Sequence, residues 1–264
     1  MNEALPDVVP AEPREKIWRR NLPATAAFGW LRAGARDFAI GLHQGLAYGL
    51  LVCLVLAGCV WVLFAYGADY ILLPVLAGFM VVGPIFAMGL YEKSRRLSAG
   101  LPVTFADMIF VRPASGYQVV FTGALLCLLM MVWLRAAVIV YALFFGLLPF
   151  PGLDHIASML FTTPVGWAML VVGSAVGGLF AAFSFAIGAI SLPMLLRERS
   201  DALTAMGTSM ALVWHNLDVM LVWAGIVMGL FVLSIATGFV GLIVIFPILG
   251  HGTWHCYRAL RPAA

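Results

Sequence analysis

Charge is scarce in this sequence. Asp, Glu, Lys and Arg make up 10% of its 264 residues and hydrophobic residues 63%, whereas a soluble globular chain carries about 25% charged residues. So few charges cannot cover a water-facing surface, which excludes a soluble domain. Several apolar runs reach the ~20 residues needed to cross a bilayer core, so the chain reads as a polytopic membrane protein. Cysteine is also rare: Cys53, Cys59, Cys127 and Cys256 lie in or beside apolar runs with no CxxC spacing. That argues against a disulfide framework or a zinc ribbon and for small apolar side chains. The opening "MNEALPDVVPAEPREKIWRR" lacks a short apolar core ahead of a cleavage site, so it is read as a retained solvated tail over residues 1–24, not a secretory signal. No P-loop, GxSxG or HExxH occurs, and no pair of carboxylates lies inside an apolar run.

What is present is six apolar segments, at about 45–66, 70–91, 118–146, 165–192, 217–237 and 239–256. The expected fold is an all-α membrane protein of six transmembrane helices, a single membrane domain over residues 25–258 with a short tail at 259–264. Fourteen of the fifteen Lys and Arg residues lie before the first segment, between the second and third, after the fourth or after the sixth. The three alternate loops hold none. By the positive-inside rule both termini are expected in the cytoplasm, across a bacterial inner membrane.

Each odd-numbered span is preceded by a moderately apolar, helix-compatible segment: 25–44, 104–118 and 204–218. The pattern suggests three units of an interfacial helix followed by a transmembrane hairpin, with Trp30, Arg32, Arg36 and Asp37, and later Trp214, His215 and Asn216, at the headgroup level. Pro113 breaks the second copy. Small residues recur at close helical spacing, as at Gly173, Gly177, Gly178, Ala181 and Gly188, which lets helices approach in lipid. Pro74, Pro84, Pro193 and Pro247 kink or end their helices.

Three stretches, "PVLAGFMVVGPIFAMGLYEKSRRLSAG" (74–100), "SLPMLLRERSDALTAM" (191–206) and "FPILGHGTWHCYR" (246–258), resemble a bacterial integral-membrane family of unknown function. Its members are common in proteobacteria and are sometimes labelled cytochrome c oxidase subunit I. The resemblance carries over Gly83, Pro84, Gly89, Tyr91, Glu92, Arg95, Pro193, Asp201, Pro247, Gly250, His251, Trp254, His255, Tyr257 and Arg258. The sequence departs from the pattern at Arg199, where an acid is expected two residues before Asp201. The label itself fails on counting, because the catalytic subunit of a haem–copper oxidase needs more histidines for its haems and copper than the five here. An accessory or assembly role beside such a complex stays open.

His251 and His255 stand one helical turn apart on one face. They could chelate one metal ion from the same side, with Glu92, Asp201 or Cys256 completing a zinc or copper site. Haem would need an opposing histidine, for which His43 and His215 are the candidates. The alternative is no ion at all. In that reading the histidines join Trp254 and Tyr257 in an interfacial belt, or act as hydrogen-bonding links between the second and sixth spans. Glu92, Arg95, Asp201, Trp254, Tyr257 and Arg258 would form a polar cluster at the same mouth. Lys93 and Arg96 read as positive-inside anchors. Arg135 lies inside the third span, either snorkelling outward or buried beside Asp69 or Asp154.

The function expected from these features is that of a non-enzymatic inner-membrane protein accessory to, or assembling, another membrane complex, plausibly a respiratory one. The alternatives are a small transporter or channel, or a metal- or haem-binding protein using His251 and His255. The expected partners are the lipid bilayer and another membrane complex, with no nucleic acid and no cofactor in the leading reading.

Overall fold

A computed structural model describes residues 18–146 and 152–261, with helices and short connections and no strand among them. The helices, in chain order, are α1 (Ala26–Ala39), α2 (Leu42–Ala65), α3 (Leu72–Phe86), α4 (Met88–Ser98), α5 (Phe105–Ile109), α6 (Gly116–Phe145), α7 (Leu153–Thr162), α8 (Pro164–Gly188), α9 (Ser191–Arg197), α10 (Ala202–His215), α11 (Leu217–Ala236) and α12 (Leu242–Leu260). Five continuous helical runs are long and apolar enough to cross a membrane: Leu42–Ala65, Asp69–Ser98, Gly116–Phe145, Pro164–Arg197 and Leu217–Ala236. They coincide with the first five expected spans. The sixth segment is the helix α12, apolar in its first half and polar in its second. The protein is an all-α membrane protein.

A helix, then a hairpin, recurs three times along the chain: α1 before α2 and α3–α4, α5 before α6 and α8–α9, α10 before α11 and α12. In the second copy only the five-residue α5 forms. α1 does not lie flat with Trp30 facing headgroups. Its apolar residues Ala27, Trp30, Gly34 and Phe38 recur every three or four positions and face inward. Trp30 packs edge-on against Trp223 of α11, ring centroids 5.9 Å apart. Of the corresponding residues at the end of α10, Trp214 is exposed, while Asn216, just beyond the helix, is buried.

The second helix of each hairpin carries a proline; the first two are broken near it, between α3 and α4 and between α8 and α9, while α12 runs on through Pro247. Proline leaves a carbonyl one turn earlier without its helical partner, and a break in a helix frees the backbone groups on either side of it. Between α3 and α4 the Tyr48 hydroxyl donates to the Phe86 carbonyl at 2.8 Å and accepts from Gly89 N–H at 3.3 Å. Between α8 and α9 the Ser209 hydroxyl donates to the Ala186 carbonyl at 2.7 Å and accepts from Ile190 N–H at 3.1 Å. In α12, Pro247 frees the Ile243 carbonyl, and the bare Cα of Gly49 on α2 packs against it, where any Cβ would collide. Such covering is what a membrane interior requires of broken helices.

Packing is uneven. Buried side chains concentrate where α1, α4, α9, α10 and the end of α12 meet; Leu90, Leu192, Leu195, Leu212, Tyr257 and Leu260 there are sealed from solvent. By contrast, four of the five spans have less than 40% of their apolar stretch buried. The sealed end also captures the chain's beginning. Asn216 donates to the Trp18 carbonyl at 2.9 Å and accepts from Arg20 N–H at 2.8 Å. Arg20 Nε donates to the Leu260 carbonyl at 2.7 Å. The expected solvated tail therefore ends by residue 18. Its earlier part, residues 1–17, and residues 262–264 of the other tail lie outside the described residues.

Candidate functional site

The sealed end holds a polar junction built on three helices. α1 and α12 approach closely because Gly34 lies against Ile248 and Gly252 with no side chain between them. That contact brings Asp37, one turn beyond Gly34, to the polar half of α12. α4 comes in from the other side with Lys93 and Ser94 facing inward.

Asp37 is the hub. Its Oδ2 accepts from the Ser94 hydroxyl at 2.5 Å and pairs with His255 Nε2 at 2.9 Å. Ser94 Oγ also lies 2.8 Å from His251 Nδ1. A hydroxyl has one proton. Since Ser94 gives its proton to Asp37, it accepts from His251 Nδ1–H, and the network sets the tautomer. Burial raises the Asp37 pKa, but the His255 and Ser94 hydrogen bonds and the histidine charges outweigh it and hold the carboxyl below its ordinary value. The Lys93 side chain is buried, and its Nζ donates to the Gly41 carbonyl at 3.3 Å. Gly41 adopts a left-handed conformation (φ 64°) between α1 and α2, which turns that carbonyl back toward α4. Asp37 supplies negative charge near the Lys93 ammonium.

Two ion-pair groups flank the junction. Glu92 accepts from Arg95 at two points, both 2.7 Å, and from Arg96 at 3.0 Å; Arg96 also reaches Asp107 at 2.8 Å. Across the junction, Arg261 clamps the Glu198 carboxylate with contacts of 2.7–2.9 Å, and the Tyr257 hydroxyl donates to Glu198 at 2.7 Å. Burial pushes the Glu198 pKa up, while the Arg261 and Tyr257 hydrogen bonds pull it further down, to a value below the ordinary one. Arg258 donates to the Ser98 hydroxyl at 2.9 Å.

The expected site residues therefore part company. His251 links α12 to the second span through Ser94, not through Glu92 or Arg95, and His255 turns instead to α1. His251, Trp254 and Tyr257 are sealed inside, so they form no belt at a headgroup surface. Asp201 is exposed and caps α10, accepting from Thr204 N–H at 2.8 Å. Cys256 lies beside Met220, its Sγ 3.7 Å from the methionine sulfur. Among the described residues, no three His, Cys, Asp or Glu side chains group as a metal site. Of the candidate haem ligands, His43 is exposed and His215 bonds its own helix at the Ala211 carbonyl, 2.7 Å. Arg135 is exposed on α6, with no hydrogen-bond or ion-pair partner among the described residues. Asp69 does not reach it, and the Asp154 side chain lies outside the described residues.

Ser94 and Glu198 were not singled out from sequence, and Asp37 and Lys93 were read only as a headgroup residue and an anchor. One signal was available for Asp37, which lies seven residues after Trp30 on the apolar stripe of α1. Another was available for Glu198, which supplies the missing acid one position earlier than the family pattern places it. A serine, a histidine and an acid meet here, but Ser94 is sealed from any substrate and its proton goes to the acid instead of the imidazole. The junction fastens helices together and could pass a proton along its bonds; it offers no exposed nucleophile.

Residues 72–197, from α3 through α9, match the sequence model of a family described as "Predicted integral membrane protein (DUF2189)". That stretch, a little under half of the chain, fits a membrane family of unknown function, and the description says nothing of an oxidase. No curated protein and no solved structure matches the chain.

Proposed function

We propose that this integral membrane protein is a non-enzymatic component of the bacterial inner membrane that binds, and helps assemble, another membrane complex. One observation carries the reading. A tightly fastened polar end holds spans whose sides are largely bare, with less than 40% of the apolar stretch buried in four of the five. A rigid clamp with open flanks suits docking against other transmembrane helices. Arg135 adds to this, since an unpaired cation on a bilayer-facing helix is costly and a carboxylate on a neighbouring span would satisfy it. A respiratory complex is the candidate that the family resemblance implies. Gentle-detergent purification from native membranes, with mass spectrometry of what co-migrates, is expected to recover subunits of one complex and to lose them in Arg135→Ala. Recovery of the isolated chain alone under several mild conditions would reject the reading.

The transport alternative has less support. It calls for a polar cavity reaching Arg135 or the kinked prolines. A hollow bounded by α3, α8, α11 and α12 touches Pro84, but no charged residue lines it, and Arg135 is not among its walls. The Ser94 and Asp37 bonds occupy His251 Nδ1 and His255 Nε2, so a metal or haem would have to use His251 Nε2, which is buried, and His255 Nδ1. Among the described residues, no group of three His, Cys, Asp or Glu side chains forms there.

The same reading puts both termini in the cytoplasm, because the loops at Gly67 and Gly238 and the region between α6 and α8 carry no Lys or Arg. Single cysteines introduced at Gly67 and Gly238 should react with a membrane-impermeant maleimide added to whole spheroplasts. A cysteine at Gly100 should react only after lysis. The reverse pattern would invert the topology.

A further inference from the structure

Among α3, α8, α11 and α12 runs a half-open hollow of about 600 Å³, within the ~300–1,000 Å³ range of ligand pockets. It extends along α12 from Leu242 to Thr253, about 16 Å of helix rise. Phe79 crosses it, stacked on Phe231 at 5.8 Å. No Asp, Glu, Lys, Arg or His lines it. Its two ends differ. The end near the opposite loops is largely apolar, around Leu73, Trp133, Ile235 and Leu242, with Ser174 on one wall, whereas the end near the polar junction carries Tyr91 and Thr253.

Tyr91 makes the hollow more than a gap between helices. Its side chain is 1% exposed and it lines the hollow, yet its hydroxyl has no hydrogen-bond partner among the described residues. A buried hydroxyl in an apolar wall is costly unless something accepts its proton. Thr253 donates to its own helix at Leu249 and keeps acceptor capacity. Small residues keep the slot open, and at Gly83 and Gly178 an added Cβ would meet nothing within 4 Å.

We propose that this hollow binds an uncharged lipophile whose apolar chain lies along α12 and whose carbonyl oxygen accepts a hydrogen bond from Tyr91. The lack of any lining charge argues against a phosphate or carboxylate head, which would have nothing to neutralise it. Two membrane molecules share the required chemistry, a prenylated quinone and a diacylglycerol. The site stands independently of the partner-binding role.

Trp133 and Trp223 line the hollow, so a quencher seated there is visible in their fluorescence. The purified full chain in detergent is titrated with decyl-benzoquinone, brominated diacylglycerol and brominated phosphatidylglycerol. Saturable one-to-one quenching by either neutral probe, with phosphatidylglycerol at least tenfold weaker, is the expected result, and the stronger probe identifies the source. Tyr91→Phe, which alters neither shape nor packing, should weaken binding about two- to tenfold. Gly178→Leu should abolish it, with folding checked by circular dichroism and melting. The proposal is overturned if all three probes quench alike, if neither neutral probe saturates, or if Tyr91→Phe binds as the parent does. A dimer by native mass spectrometry that Gly178→Leu dissociates would also overturn it, by showing that a second copy fills the slot.

Discussion

Gly34→Ala is expected to destabilise the protein strongly, while Gly29→Ala in the same helix leaves it unchanged or stabilises it. A Cβ at Gly34 would collide with the Ile248 carbonyl oxygen and lie 2.6 Å from Gly252 N, both backbone atoms that cannot rotate away. A Cβ at Gly29 meets nothing within 4 Å. Overpacking alone costs about 1–3 kcal/mol. Here the displaced helix also carries Asp37, so the shift pulls the hub from His255 and Ser94 together. At Gly29 the gain is the ordinary helix preference for alanine, up to about 1 kcal/mol. Thermal unfolding of both variants in one detergent measures the contrast. Equal midpoints would mean that α1 is not pressed against α12 as described.

The spans were legible because twenty apolar residues in a row have few other uses, and the helix before each hairpin because its apolar residues recur at helical spacing. What the junction is made of was not legible, for a physical reason. Periodicity tells which face of α1 is apolar but not what covers it. Asp37 therefore reads equally well as a headgroup residue or as a buried hub. Lys93 follows a span and reads as an anchor, since basic residues gather there whether or not a neighbouring helix later closes over them. His251 and His255 share a face, as spacing requires, but an imidazole has two nitrogens and a helix has two neighbours. The choice of Ser94 for one ring and Asp37 for the other was decided by the Gly34–Gly252 approach, which pairs positions 218 residues apart. Ser94 carried no signal at all, because nothing distinguishes a serine in a network from a serine on a surface.

Asp37→Asn is expected to lower stability by about 2 kcal/mol, within the range for removing a charged partner from partly buried hydrogen bonds. At this chain length that is roughly 4–8 °C in melting midpoint. The amide keeps the shape and can still accept from Ser94, so the loss isolates charge. The side chain of Lys93 is 1% exposed, and in the variant its ammonium would remain buried with no carboxylate beside it. Removing the cation too should therefore repair much of the damage, and Asp37→Asn with Lys93→Met should be more stable than Asp37→Asn alone. That coupling is the discriminating quantity, because two unrelated lesions would add. The pH dependence has a definite sign. The folded Asp37 pKa lies below the ordinary 3.8, so its contribution is complete above that value and is lost as pH falls below it. Asp37→Asn should make the acid limb of the stability profile shallower, leaving the share that Glu198 contributes. Strict additivity of the two substitutions, or an acid limb as steep in Asp37→Asn as in the parent, would show that the charge of Lys93 is balanced elsewhere and that Asp37 is not the hub.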